Sequence, residues 1–513
     1  MRHTLGRRLL AGAAAAVAAG AFATPARAAT PDIDMTLTDV TVAAGGNTLT
    51  DPILVSSAEA ELTNGKITYE LSGLSGVSLH TPKDMGEECT EESATKITCP
   101  SYFVFVGPYL SYAGMPAQVE ATAEALGQTG KITATFEADG VKPVTRSAAL
   151  TVAEGVDLAA GKSSEVTVKP GAKFNAPLSV LNNTDKTVHG TAVILDTDYA
   201  FAAAGQFGNC YYIDDQMSAC VFDQELEPGV SYQIQLPYRL RADTAAPGNA
   251  YGEFEWLTTG DWDDLLKFIK DVGYGGPGKL GTGDNLLLTP EPKAKALNKQ
   301  TDTNPDNNWQ DVTVNTTGKQ GTDFQAIGAT VTGAAGDTVT VNVGVRNNGP
   351  ATLDRSRAGE PAATVIVTIP TGTAVVDAPA GCTLATGDDT SLKTKKGGVQ
   401  YGCFSDYVFP AKTTVTWPFR LKITKVQDDA TGWVESNPPC ECDRFDRDTN
   451  KANDVAKIVV NPVAAGGGEG GGDGDGLPIT GPQTALIAAA GAILVAAGAV
   501  LMMRRRRTTR FEA

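Results

Sequence analysis

Valine stands at every second position from Val339 through Val341 and Val343 to Val345, with small or polar residues between. A period of two predicts a strand with one buried face. Gly336-Asp337 opens the segment and Asn347-Asn348-Gly349-Pro350 closes it as a turn. The same eleven-residue step recurs from Gly171 to Asn182-Asn183-Thr184. Both copies continue into apolar strands, Thr187 to Asp196 and Ala363 to Ile369. Each then reaches a cysteine pair, Cys210 with Cys220 and Cys382 with Cys403. A second alternating run follows each pair. One copy places Tyr232, Ile234, Leu236, Tyr238 and Leu240 on one face, and the other places Val415, Trp417, Phe419, Leu421 and Ile423 there. Pro237 and Pro418 sit at matching positions in these runs and predict edge strands, because proline cannot donate to a ladder. Each copy ends in an Asx turn and a short strand: Asp306-Asn307-Asn308 before Val312 to Val314, and Asn453-Asp454 before Val455 to Val460.

A looser third copy precedes these two. Cys89 and Cys99 are separated by nine residues, as are Cys210 and Cys220, and alternation around Val119 and a closing strand near Leu150 complete it. Short strands with turn signals about every ten residues predict an all-β chain of tandem β-sandwiches. The expected domains are 30–154, 155–316 and 317–463. One segment breaks the pattern, 257–290. Trp262, Leu265, Leu266, Ile269 and Val272 follow helical spacing and stop at Gly273, ahead of a glycine-rich stretch to Gly283. It reads as a helix capping the end of the second sandwich, or as an excursion that binds a partner.

The two ends follow other rules. Arg2, Arg7 and Arg8 precede an apolar run from Leu9 to Ala23, and Ala26-Arg27-Ala28 offers a small-x-small cleavage pattern. Residues 1–28 therefore read as a signal peptide, too short in its apolar part to span a bilayer, which takes about 20 residues. At the other end, 464–476 is almost all glycine with alanine, glutamate and aspartate, a flexible and self-repelling spacer. Leu477-Pro478-Ile479-Thr480-Gly481 comes next, then an apolar stretch over 485–503 and four arginines, Arg504 to Arg507. That stretch can just cross a membrane as a helix, with the arginines holding its far end in the cytoplasm.

Composition narrows the function. The chain of 513 residues carries 42 basic and 59 acidic residues. Nine of those arginines and one glutamate lie in the two end segments, so residues 29–480 hold 33 basic against 58 acidic residues. A nucleic-acid binder shows the opposite balance. All eight cysteines lie between the end segments, and outside the cell even numbers of cysteines read as disulfides. Cys440 and Cys442 differ from the other six. A bridge across a single residue is strained, so local pairing and pairing with another chain both stay open.

The motif, apolar span and basic tail at 477–513 resemble the LPxTG sorting signal of Gram-positive cell-wall proteins. The Asn-Asn-Gly-Pro turn and the Gly-Cys start of the cysteine hairpin resemble immunoglobulin-like repeats in surface proteins of high-GC Gram-positive bacteria. The resemblance implies that a sortase cysteine attacks the Thr480 carbonyl and releases everything from Gly481 onward. An amine of the peptidoglycan precursor then takes up the acyl group. The expected partners are the sortase, peptidoglycan in covalent linkage, and a protein or glycan ligand of unknown identity. Contact with the membrane is transient, through the sorting helix, and the expected location is the cell wall. The role so implied is a structural stalk or an adhesin-like binding module.

The residues also offer catalytic and metal chemistry. Asp446, Asp448 and Asn450, with Asp443 and Asp454 nearby, place oxygen ligands at every second residue, as calcium loops do. Asp302, Asn304, Asp306 and Asn308 repeat the pattern. Lys451 stands where an EF-type loop needs glycine, and Asx clusters also form turns on their own backbone, so calcium and turn chemistry both stay open. No other cofactor is implied. Gly155 to Ser163 is one residue too long for a phosphate-binding loop and lies at a β-domain boundary. Only His80 and His189 remain after export, in different repeats, and no HExxH or GxSxG is present. The chain therefore reads as a non-enzyme. The alternative is a wall-anchored hydrolase working with two carboxylates, as glycosidases do.

Overall fold

The computed structural model describes residues 32–82, 89–108, 111–112, 116–273, 275–290, 299–385, 399–436 and 448–462. Among them lie three hydrophobic cores in chain order. The signal peptide, the spacer, the sorting residues Leu477 to Gly481, the expected 485–503 helix, Cys440, Cys442, Asp443 and Asp446 lie outside the described residues.

The second and third cores are each enclosed by two sheets of matching topology. The smaller sheet of the second domain runs in the order Leu158–Ala160, Lys173–Asn182, Ser231–Leu240, Phe201–Ala203. That of the third runs Phe324–Ile327, Thr338–Asn347, Thr414–Ile423, Thr373–Asp377. The larger sheets also correspond. The order Ser164–Val168, Trp309–Gln320, Ala246–Thr258, Val188–Thr197, Gln216–Leu226, Cys210–Ile213 maps onto Ala329–Val331, Val455–Val460, Ala430–Ser436, Thr364–Thr368, Gln400–Phe404, Cys382–Leu384. These are immunoglobulin-like sandwiches. The first domain repeats the plan, with its larger sheet ordered Val40–Ala43, Val144–Val156, Thr129–Glu137, Ala60–Ser72, Lys96–Val106, Thr90–Ser93. Its smaller sheet is split between Asn47–Thr50 and Ile53–Ser56, where Asp51-Pro52 interrupts what is one strand in the other domains.

Alternation set these strands as expected. Val341, Val343 and Val345 are fully buried, as are Phe419 and Leu421 opposite, and Tyr238, Leu236 and Leu240 fill the same place one domain earlier. The prolines need correction. Ser231–Leu240 and Thr414–Ile423 are internal strands, each paired on both sides. The neighbour on one side, however, stops short: its last ladder pairs are Ala203 with Tyr238 and Asp377 with Arg420, and beyond them Pro237 keeps only the Ala204 N–H on its carbonyl, at 3.0 Å. A missing N–H is harmless where the second neighbour has already ended.

The break in the pattern at 257–290 is also clear. Thr258 caps the helix Thr259–Asp271, its hydroxyl accepting from the Asp261 N–H at 3.1 Å, and Gly273 ends it at φ +76°. Trp262 buries against Ala192, Ala219 and Leu257 on the outer face of the second domain's larger sheet, with Leu265 and Leu266 beside it. The helix thus lies on a sheet face, where an end cap was expected.

Candidate functional site

Three kinds of local arrangement carry the candidate chemistry: the disulfide hairpins, the Asx turns, and the junctions between domains. Cys89–Cys99, Cys210–Cys220 and Cys382–Cys403 are bonded, as the repeats led us to expect. In the second and third domains the two cysteines face each other directly across the outermost hairpin of the larger sheet. Each bond fastens a short strand near the margin of its sheet to its longer hairpin partner, contributing about 2–4 kcal/mol by restricting the unfolded chain. Three disulfides belong to an oxidising compartment.

The two Asx turns are built alike. In the second domain Asp302 accepts from the Leu158 N–H at 2.8 Å with one carboxylate oxygen and from the Asn304 N–H at 2.7 Å with the other. In the third, Asp448 accepts from Phe324 N–H at 3.3 Å and from Asn450 N–H at 3.0 Å. Leu158 and Phe324 open the first strands of their domains, so each aspartate ties a domain's last turn to its first strand. A short 3-10 turn follows, Pro305–Asn307 or Lys451–Asn453, and leads into the closing strand. Both oxygens of Asp302 and of Asp448 are thus engaged by backbone N–H groups. Among the described residues no group of three or more His, Cys, Asp or Glu side chains is arranged to hold a metal ion.

The turns differ in charge. Six residues after Asp302 stands the buried Asn308, and six residues after Asp448 stands Asp454. Burial, and then the charge of Asp448 facing it, push the Asp454 carboxyl up to about 6. Asp302 is also pushed up to about 6, mainly by burial, with its two backbone hydrogen bonds acting in the other direction. A raised carboxyl holds a proton that the unfolded chain, with a pKa of about 3.9, has already released. Its contribution to stability is full below about pH 4 and is lost as the pH rises through 6. Asp454→Asn, which installs the second domain's residue, is expected to stabilise the third domain at pH 7. The expected gain is about 1 kcal/mol, kept small because the site is partly solvated. Denaturant midpoints at pH 7 and pH 4.5 check this. The idea fails if the variant's advantage is as large at pH 4.5 as at pH 7.

The junction of the first two domains is continuous. Val144–Val156 closes the first domain, and Leu158 opens the next after a single residue. Glu154, Gly155 and Val156 pair in parallel with Gln300, Thr301 and Asp302 of the second domain. The helix Thr259–Asp271 braces this contact. Asp264 accepts from Thr41 of the first domain at 2.5 Å and pairs with Lys299 at 2.7 Å, while Lys267 lies 3.7 Å from Asp39. Gly260 is required here, since a Cβ would come within 2.1 Å of the Gln300 carbonyl oxygen. The glycine-rich stretch beyond the helix is likewise committed internally. Lys279–Leu280 pairs with Tyr211 and Tyr212 at the edge of the sheet, and a Cβ at Gly278 would approach the Tyr212 oxygen to 2.1 Å.

The second junction rests on an arginine. Arg357, in the short turn Ser356–Ala358 of the third domain, reaches across to the second. Its guanidinium donates to Asp198 at 2.8 Å and lies 3.0 Å from Glu253 and 3.6 Å from Asp196. Burial raises the Asp198 carboxyl, and Arg357 opposes that rise. Thr352 hydrogen-bonds to the Asp243 side chain, its N–H also donates to the Asp243 carbonyl, and the Tyr199 N–H donates to Asp354 at 2.8 Å. No sequence pattern marks this residue, because an isolated arginine in a loop has no local periodicity or motif.

A cavity of about 550 Å³ opens in the first domain, lined by Asp32, Ile33, Lys142, Pro143, Val144, Thr145 and Arg146. Its lining holds one carboxylate, where paired-carboxylate hydrolysis takes two.

The arrangement defines a class: tandem immunoglobulin-like β-sandwiches, disulfide-stapled and braced at both junctions. No family model matches the chain, and no curated protein matches it. Among solved structures, a putative membrane-anchored protein from Corynebacterium diphtheriae is similar at TM-score 0.16 and 10% identity, over 85% of this chain and 93% of that one. A complex of Dpr2 Ig1-Ig2 with DIP-Theta Ig1-Ig3 is similar at TM-score 0.19 and 9% identity, over 85% and 100%. Red sea bream transglutaminase is similar at TM-score 0.19 and 10% identity over 57% of this chain, which spans 32% of the transglutaminase. Scores this low do not extend to a shared arrangement of whole chains.

Proposed function

We propose that this chain is a secreted surface protein whose three sandwiches form a stalk, fastened to peptidoglycan through Thr480 and acting as a structural or adhesin-like element. The stalk reading is carried by one observation: both junctions between domains are closed by paired strands or by half-buried polar contacts, with one and three residues between the flanking strands. Flexible linkers would let the domains collapse onto the surface, whereas braced junctions hold a chain extended from its anchor. The anchoring reading is supported by the order of Leu477-Pro478-Ile479-Thr480-Gly481, apolar stretch and arginines. The disulfides support an extracellular setting. Sortase and peptidoglycan are the proposed partners, with a protein or glycan as distal ligand, and no enzymatic step is assigned to the chain itself.

Muramidase digestion of cell walls is expected to release the protein ending at Thr480 with a peptidoglycan fragment attached, visible by mass. Thr480→Ala is expected to move it to the membrane or the medium. Recovery by detergent alone, with residues 481–513 still present, would sink the proposal.

A further inference from the structure

The three domains share a feature that neither repeats nor motifs disclosed. In each, a strand near the domain's beginning pairs in parallel with the strand that ends it. Val40–Ala43 pairs with Leu150 to Ala153, Ser164–Val168 with Val312 to Thr316, and Ala329–Val331 with Ile458 to Val460. Flanking backbone bonds extend the first and last of these, from Ala44 N–H to the Ala153 carbonyl at 2.9 Å and from Asn461 N–H to the Val331 carbonyl at 2.9 Å. The junction adds a further parallel stretch, Glu154 to Val156 with Gln300 to Asp302.

Parallel pairing of each domain's second strand with its last has a mechanical consequence. Tension on the ends of the chain pulls the second strand by its N-terminal end and the last by its C-terminal end. Parallel strands pulled this way slide along their common axis. Ladder hydrogen bonds lie across that axis, so all of them are loaded together and break together. An antiparallel hairpin pulled at its open end meets the load one bond at a time. The disulfides lie behind these clamps, outside the path of the load, and cannot carry it until a clamp has broken.

We infer that this chain is a tension-bearing element, in which the parallel terminal pairings of the three domains act as shear clamps in series. The proposal deepens the stalk reading and rests on it for its biological setting, since a chain held at one end by the wall and at the other by a ligand is loaded end to end. The number of residue pairs ranks the clamps. The third domain has three, the first has four, and the second has five, with three more at Glu154 to Val156. Yielding is therefore expected first in the third domain and last in the second.

The test is single-molecule pulling of the exported chain, residues 29–480, held at its two ends. At roughly 3.5 Å per residue, and with the disulfides intact, the steps release about 34, 47 and 37 nm for the first, second and third domains. Reduction lengthens the third step by about 7 nm and the others by about 3.5 nm, which marks the third step, while the first two are told apart by their lengths. The expected result is the third domain yielding at the lowest force and the second at the highest. Glu165→Pro and Val166→Pro provide the second arm. Ser164–Val168 is an edge strand, so of two adjacent N–H groups one faces its partner and one faces away. One of the two variants is expected to lower the force of the 47 nm step by roughly half, and the other to leave it unchanged. Gradual extension without separate steps, a second domain that yields first, or equal weakening by both prolines would overturn the inference. None of these outcomes depends on whether muramidase releases the protein, so the clamp and the wall linkage fail independently.

Discussion

Replacing Asn182 with alanine is expected to destabilise the second domain by about 3 kcal/mol, read as a lower denaturant midpoint with an unchanged slope. Asn182 is completely buried, and every polar group of its side chain is occupied. Its amide donates to the Lys186 carbonyl at 2.7 Å and to the Leu226 carbonyl at 2.8 Å, and its oxygen accepts from the N–H and the hydroxyl of Thr184 at 3.1 and 2.8 Å. Alanine leaves the Leu226 carbonyl buried without this donor, and an abandoned buried group costs about 1–3 kcal/mol by itself. Loss of the turn closed by Thr184 adds to that. The third domain supplies an internal replicate. Asn347 is equally buried, donating to the Ala351 carbonyl at 2.8 Å and accepting from the Gly349 N–H at 3.0 Å. Asn347→Ala is expected to lower the midpoint of its own domain to a similar extent. A change below about 1 kcal/mol at both positions would mean that water replaces these bonds and that the latch is dispensable.

Arg357→Ala is the second large effect, and it falls on the coupling between domains. The side chain is 27% exposed, and removing it takes from Asp196, Asp198 and Glu253 the guanidinium that all three share. Taking one partner from a buried charge group costs about 3–5 kcal/mol, and partial exposure here reduces that to about 2 kcal/mol. The loss is expected as a third domain that unfolds separately from the second. It is also expected as a broader distribution of end-to-end distances in solution scattering. Lysine cannot span three carboxylates with one ammonium group, so Arg357→Lys is expected to fall between the two. The sign of the pH response follows from the burial-raised Asp198 carboxyl. Without the guanidinium that carboxyl rises further, so the variant's deficit is largest at neutral pH and shrinks as acid neutralises Asp198. Scattering curves that superimpose for the parent and Arg357→Ala would show that the arginine holds nothing.

The Asx turns show how much a local pattern leaves unsaid about what the fold brings to it. Asp448, Asn450 and Asp454 have the spacing of a calcium loop, and so do Asp302, Asn304 and Asn308. The fold places Asp302 and Asp448 against the backbone N–H of a strand more than a hundred residues earlier. Spacing reports which oxygens are near one another along the chain, and says nothing of a donor brought in from elsewhere. Glycine-rich 273–283 is a similar case. Its composition does not show that at Gly278 and Gly281 there is no room for a side chain beside Tyr212 and Phe207.

By itself the sequence determined the period-two strands, the buried faces at Val341 to Val345 and Tyr232 to Leu240, the three cysteine pairings and the helix that ends at Gly273. These depend on neighbours within a few residues or on repetition of the same segment, and both are visible in one dimension. Tertiary structure alone decided the parallel clamps, the arginine at the second junction, the helix lying between domains, and the inward direction of Asn182 and Asn347. Each of these is a meeting of segments tens to hundreds of residues apart, and a strand's own alternation fixes which face is apolar without fixing which strand lies beside it.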